Sequence, residues 1–120
     1  MKFSLEPSTL HKALRAMQRR HPLNPRRDSR LRIRATADVV TLKTNLTGTF
    51  LPAQVAVAGA CEVSRKSVTR VVGTLVRGKP VTVEARDGRL RIGGWSIETS
   101  AQFDSWENER YSNDNQGETC

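Results

Sequence analysis

Two segments decide the fold, STLHKALRAMQRR at residues 8–20 and RKSVTRVVGTLVR at residues 65–77. The first places apolar side chains at i, i+3, i+4 and i+7, and the second repeats the pattern 58 residues later. The repeated positions are Leu10, Ala13, Leu14 and Met17 in the first segment, and Val68, Val71, Val72 and Leu75 in the second. Because this spacing puts the apolar residues on one helix face, the sequence predicts two amphipathic helices related by duplication.

Both helices turn only basic charge away from the apolar face. The outward residues are Lys12, Arg15 and Arg19 on the first helix, and Lys66, Arg70 and Arg77 on the second. Neither segment contains an acid. Solvated helix faces usually mix signs, since each Glu–Lys pair at i, i+4 stabilises a helix by about 0.2–0.5 kcal/mol. We therefore favour binding of a polyanion over a face that is charged only for solubility.

The charge of the whole chain points to the same class of partner. The net charge is +8, and residues 1–100 hold 19 basic against 7 acidic side chains, whereas residues 101–120 hold one against five. A body that basic attracts phosphate charge over a Debye length, roughly 8 Å at physiological salt, which favours nucleic acid. No run approaches the length of about 18 apolar residues that spans a membrane, and neither basic face has bulky aromatic anchors, so we expect no membrane partner.

Strands surround the two helices in the same order. Phe3 and Leu5 alternate with polar residues before the first helix, as Cys61 and Val63 do before the second. Three alternating segments follow each helix, and the repeat offset falls from 58 to 50 because residues 21–29 form an extra basic loop. The sequence thus predicts an α+β fold, a duplicated β-α-β-β-β unit with two helices on one face of an antiparallel sheet.

Local signals set the expected boundaries. Pro7 and Ser8 open the first helix, Ser64 caps the second, and Gly78 ends the second as a left-handed residue. Three aromatic residues alternate with strand partners and are expected in the core: Phe3, Phe50 and Trp95. Residues 1–104 are predicted to form one domain and residues 105–120 an acidic, disordered tail.

Groups for catalysis are scarce in this sequence. His11, His21, Cys61 and Cys120 show no metal-ligand spacing, and the carboxylates of the body are single and scattered. The chain has no glycine-rich phosphate loop, no HExxH and no CxxC. We predict that the protein is not an enzyme and has no catalytic residues, metal site or cofactor. Cys61 is expected to be a small buried hydrophobe.

Other basic residues are weaker candidates. Arg26 and Arg27, in the loop after the first helix, are predicted to add phosphate contacts. Arg32 and Arg34 alternate with Leu31 and Ile33, so they face away from the core. For these two the sequence leaves polyanion binding and a merely solubilising role open, since charge also protects an exposed sheet edge.

The repeated unit resembles one domain of the DNA sliding clamp, specifically the N-terminal domain of the bacterial DNA polymerase III beta subunit. The likeness covers residues 1–104 and is carried by Met1-Lys2-Phe3, Arg19-Arg20-His21-Pro22, Val40-Thr41-Leu42-Lys43-Thr44, Val63-Ser64, Gly88-Arg89-Leu90-Arg91-Ile92 and Ser96-Ile97-Glu98-Thr99. In that family, domains join edge to edge into a ring whose helices line a hole around duplex DNA. The ring tethers polymerase to its template.

The resemblance implies a DNA interface, an assembly and a set of partners. The residues that would line the hole and contact phosphates are Lys12, Arg15, Arg19, Arg20, Lys66, Arg70 and Arg77. Bacterial clamps chain three such domains, so a six-domain ring of this chain needs six copies with identical head-to-tail contacts. DNA polymerase and other replication proteins are the implied protein partners, and the pocket for polymerase peptides belongs to later domains.

Three functions remain open from the sequence. The first is a clamp-like processivity or tethering protein that assembles around duplex DNA. The second is a stand-alone DNA-binding domain without sequence preference, because the binding groups are basic and the body has few aromatic rings for base stacking. The third is an interaction protein that docks on a resident clamp or replication protein. The absence of an apolar signal core predicts a cytoplasmic location for all three.

Overall fold

The computed structural model describes residues 1–22, 29–44 and 46–103, with side chains described up to residue 99. These residues form two helices and nine strands, which confirms the predicted α+β class. In chain order the elements are β1 (Lys2–Leu5), α1 (Pro7–Arg20), β2 (Arg30–Thr36), β3 (Val39–Lys43), β4 (Gly48–Pro52), β5 (Gln54–Val57), β6 (Gly59–Ser64), α2 (Arg65–Val72), β7 (Val81–Arg86), β8 (Arg89–Ile92) and β9 (Trp95–Phe103).

The strands pair antiparallel in the order β4-β3-β2-β6-β9-β8-β7-β1-β5. The halves β1-α1-β2-β3-β4-β5 and β6-α2-β7-β8-β9 are interlocked, because β1 pairs with β7 and β6 pairs with β2. The last strand of the second half, β9, pairs with β8 over its first part and with β6 over its last part. In the first half, β4 pairs with β3 and β5 pairs with β1, so β4-β5 is the counterpart of β9.

In both halves the last strand segment crosses from one sheet to the other, and the same kind of backbone hydrogen bond holds the crossing point. Ala53, between β4 and β5, donates its backbone N–H to Asp38 O at 3.1 Å, and Thr99 in β9 donates its N–H to Gly88 O at 2.9 Å. Asp38 and Gly88 occupy equivalent two-residue hairpin turns with positive φ, 66° and 77°. Each long last strand is therefore bonded to the tight turn that precedes it as it leaves one sheet for the other.

One core lies between the helices and the inner faces of the strands. Every apolar position predicted to face inward on the helices is buried or packs against this core, and Phe3 and Cys61 are buried as expected. Cys61 is a free thiol. A side chain fully buried in such a core contributes about 1.5–3 kcal/mol, so the helix stripes fix both helices on the sheets.

The second helix is shorter than the sequence indicates. It ends at Val72 rather than at Arg77, with Gly73 as C-cap, and the N–H groups of Thr74 and Leu75 donate to Val71 O and Val72 O in tighter turns. The Thr74 hydroxyl also donates to Val71 O at 2.7 Å, which competes with a helical bond. Leu75 still packs on the core, and this is why the apolar spacing extends past the helix.

Three further expectations need correction. Ser8 does not cap α1: Glu6 is the N-cap and makes no side-chain capping bond. Gly78 has a φ of 91° but lies beyond the end of α2. Phe50 is 73% exposed because Leu51 takes the inward position on β4, so that Phe50 faces outward opposite Thr41. Trp95 is 52% exposed at the start of β9, where one side of the strand has no partner among the described residues. The predicted tail, residues 105–120, lies outside the described residues.

Ser64 is the cap that the sequence predicts correctly, since its hydroxyl accepts the N–H of Ser67 at 3.2 Å. We expect Ser64→Ala to lower the free energy of unfolding by about 1 kcal/mol, because an N–H at the start of α2 loses its partner. Ser8→Ala is the matched control at the start of α1 and should change stability by less than about 0.5 kcal/mol. Urea unfolding of the two variants measures both values, and equal losses would contradict this assignment.

Candidate nucleic-acid interface

Helices α1 and α2 lie side by side and antiparallel. At one end, the guanidinium of Arg65, the first residue of α2, donates to His21 O at 2.7 Å and to Gln18 Oε1 at 3.4 Å, near the end of α1. At the other end a narrow groove is lined by residues from the start of α1 and the end of α2. Its lining residues are Pro7, Ser8, His11, Val72, Gly73, Leu75 and Arg77. The two cationic faces are therefore neighbours on one side of the molecule.

The structure places most of the predicted binding residues at the surface of this helix pair. The exposed ones are Lys12, Arg15, Arg19, Arg20, Arg70 and Arg77, while Lys66 is half-buried. Arg77 lies on the segment that follows α2 rather than on the helix itself. Exposed Lys79, which the helix pattern did not single out, extends the same basic segment.

Acidic charge is almost absent from this side of the described chain. Residues 7–20 and 65–80 contain no Asp or Glu. Glu6, at the start of α1, accepts the backbone N–H of Gly78 at 3.0 Å and so joins the two helical segments. The helix pair thus presents a cationic surface, defined here as Lys12, Arg15, Arg19, Arg20, Lys66, Arg70, Arg77 and Lys79.

The opposite side of the sheets has mixed charge. Arg32 on β2 forms an ion pair with Glu62 on β6 at 3.5 Å, and Arg86 pairs with Asp87 at 3.7 Å. Arg34 lies on the same outward face of β2 and also has an interaction partner. Arg32 and Arg34 are therefore separated from the cationic surface. Arg26 and Arg27 lie outside the described residues.

Arg65 is the functional candidate that sequence reasoning missed. The helical pattern made it the first residue of α2, yet its side chain is only 1% exposed. Desolvation lowers the pKa of Arg65 from its ordinary value. One signal was available in the sequence: the 58-residue offset aligns Arg65 with Pro7, whose position at the start of α1 is also buried.

Two other kinds of site are absent from the described residues. No group of three or more His, Cys, Asp or Glu side chains there is arranged to hold a metal ion. No helix in that part of the chain has the length and apolar character needed to cross a membrane.

Solved structures with the same architecture are bacterial sliding clamps. The chain is 24% identical to the polymerase III beta subunit of Caulobacter crescentus, with a TM-score of 0.68 over 82% of this chain and 29% of that one. It is 19% identical to the Helicobacter pylori beta clamp in complex with carprofen, with a TM-score of 0.71 over 87% and 30%. A third match, at 18% identity and a TM-score of 0.67 over 87% and 31%, is the H. pylori clamp bound to a DNA ligase peptide.

These likenesses establish the fold. The chain has a sliding-clamp-like fold. It spans about three tenths of the length of the clamps it matches. No protein-family model matches the sequence, and no curated protein does. The predicted resemblance is thereby confirmed for the architecture.

Proposed function

We propose that this protein binds duplex DNA through its phosphates, without sequence preference, and tethers other proteins to it in the manner of a sliding clamp. The observation that carries the proposal is the cationic surface on adjacent antiparallel helices of a clamp-like fold. Two acid-free helices are an unfavourable arrangement in isolation, because like charges at i, i+4 such as Arg15 and Arg19 repel. Phosphates on the partner relieve this repulsion.

The chemistry of the surface favours loose phosphate contacts over base recognition. Exposed Lys and Arg side chains on helices are long and flexible, so they can contact the phosphates of the DNA backbone. Such contacts position a protein on DNA without recognising its sequence. Their release of counterions supplies affinity that is independent of register along the duplex. A protein held in this way slides, which is what a tether on DNA requires.

We further propose that copies of the chain assemble into a ring, with six copies matching the six domains of a bacterial clamp. Two features of the fold support this. The outer side of β4 and one side of β9 at residues 95–98 lack strand partners within the described chain, and they occupy equivalent positions in the two halves. Each carries an exposed aromatic residue, Phe50 and Trp95. An edge of one copy can therefore pair with the other edge of the next copy.

The same edges favour one alternative function, in which the chain docks on a resident clamp or replication protein instead of on itself. Unpaired strand edges accept an added strand from a partner. Gel filtration with the host clamp distinguishes the two, because a stoichiometric complex is expected only for docking. A stand-alone DNA-binding domain is the outcome if neither assembly forms. In each case the protein acts by binding, in the cytoplasm, and DNA polymerase is among the partners of the first function.

The DNA interface is tested by reversing charge on the cationic surface. Lys12→Glu with Arg70→Glu should lower the slope of log affinity against log salt by about 1.8, since each lost phosphate contact removes about 0.9. Affinity for a duplex of random sequence should fall at least about 60-fold at 0.1 M salt on the same basis. Fluorescence anisotropy across a salt series measures both quantities.

The matched control is Lys43→Glu with Arg91→Glu, which changes the net charge equally at exposed sheet positions. The control should keep the wild-type slope. If the helix variant keeps it as well, the DNA proposal is wrong. If both pairs lower it equally, binding follows net charge and not the helix surface.

The ring is tested by mass. Analytical ultracentrifugation of the full chain at micromolar concentration should show a hexamer, retained on circular duplex DNA and lost from linear DNA with free ends. Phe50→Glu should give monomers, because a charge on the free edge of β4 opposes burial against another copy. Thr82→Glu, at an exposed position on β7, which is paired with β1 and β8, is the control and should still assemble. A wild type that remains monomeric with and without circular DNA would contradict the ring.

A further inference from the structure

Within the described part of the chain, three buried polar atoms that have no hydrogen-bond partner belong to residues where α1 ends and α2 begins. They are Arg65 Nη1, His21 Nδ1 and Ser29 Oγ. Their residues are bonded to one another through other atoms: Arg65 Nη2 donates to His21 O at 2.7 Å, and the Arg65 backbone N–H donates to Ser29 O at 2.9 Å. Buried polar groups are nearly always hydrogen-bonded. Three unbonded polar atoms this close together therefore indicate a place where a small polar ligand can bind.

Among the described residues, no carboxylate pairs with the Arg65 guanidinium. An arginine in a protein stays protonated, and Arg65 makes its side-chain bonds to a carbonyl and an amide oxygen, not to a carboxylate. Of the described acids, Glu62 pairs with Arg32 on the sheet side and Glu6 binds Gly78 at the far end of the helices. A buried cation without a counter-charge costs several kcal/mol in the low-dielectric interior.

Two helix ends meet at this place, and their partial charges oppose each other: the start of α2 is positive, and the end of α1, where His21 O accepts from Arg65, is negative. The N-terminus of a helix carries about half a positive charge, and Arg65 is the first residue of α2. The aligned position in α1 is Pro7, a residue well suited to that first position that brings no charge. The second half of the fold therefore has a cation where the first half has a neutral ring.

We propose that this junction is an anion-binding site of the phosphate class, formed by Arg65, Ser29 and His21. The guanidinium supplies charge and the Nη1 donor, the Ser29 hydroxyl supplies a second donor, and His21 supplies a third when Nδ1 carries a proton. A water molecule satisfies the same hydrogen bonds but not the charge, so an anion is the better partner. The phosphate is either free or part of a DNA backbone, and the site does not depend on the proposed tethering function.

The test begins with the wild-type chain and inorganic phosphate. Because Arg65 is only 1% exposed, bound phosphate should exchange slowly, and a second set of Arg65 side-chain signals should grow to saturation in ¹⁵N NMR spectra. At a phosphate concentration ten times Kd the Tm should rise by roughly 5 °C over chloride of equal ionic strength. Arg65→Met should abolish this gain, whereas Arg65→Lys should retain part of it.

Arg91→Met is the matched control, since it removes one charge from an exposed position on β8, outside the cationic surface, and should keep the full gain in Tm. Equal gains in Arg65→Met and wild type would assign phosphate to the cationic surface and overturn the proposal. If phosphate leaves the Arg65 signals of the wild type unchanged, the proposal is also wrong, and water is then the group that binds Arg65.

Duplex DNA identifies the source of the phosphate. If DNA shifts the same Arg65 signals and inorganic phosphate competes at constant ionic strength, the site takes a backbone phosphate. If DNA leaves them unmoved while inorganic phosphate shifts them, the site takes free phosphate. Loss of DNA binding in the charge-reversal variant, with the phosphate response intact, separates this site from the proposed function.

Discussion

The structure depends on the exchange of first strands between its two halves. Strand β1 pairs with β7 of the second half, and β6 pairs with β2 of the first half. Helix α1 connects β1 to β2 and α2 connects β6 to β7, so each helix must cross from one sheet to the other. Because the two halves are equivalent, the crossings run antiparallel on one side of the sheets. The neighbouring helices are thus a consequence of the strand pairing.

Charge follows the same division. On the sheet side, basic residues have acidic neighbours, as Arg32 has Glu62 and Arg86 has Asp87. On the helix side, the exposed cations of residues 7–20 and 65–80 have no acid within their own segments. Surface ion pairs contribute little to stability, so the difference between the faces says more about the partner than about the fold. A potential concentrated on one face orients an approaching polyanion toward the helices.

Much of this architecture could be predicted from the sequence, because the helices and strands follow from the spacing of apolar residues over a few positions. The i, i+3, i+4 spacing located both helices, strand alternation located the buried Phe3 and Cys61, and the Ser64 hydroxyl was a local cap signal. Apolar spacing was a weaker guide to where a helix ends, since Leu75 packs on the core after the helical bonds have stopped.

What the sequence did not reveal depends on long-range pairing. Alternation on β4 does not say which of Phe50 and Leu51 faces inward, and the register with β3 gives that position to Leu51. The exposure of Trp95 likewise followed only from the strand order. The burial of Arg65 depends on the end of a helix 44 residues earlier in the chain. Such a cation has no distinguishing local pattern, because an exposed arginine at the start of a helix has the same sequence context.

Comparison of the two halves separates the parts that build the fold from those that give this chain its own chemistry. The positive-φ turns and their bonds to Ala53 and Thr99 are the same in both halves, as expected for features that set the strand crossing. The halves differ in helix length, in the segment after α1 and in the first residue of each helix. The proline at the start of α1 has no side-chain donor, whereas Arg65 at the start of α2 bonds the end of α1 through its guanidinium. The same position therefore begins a helix in the first half and also joins the two helices in the second.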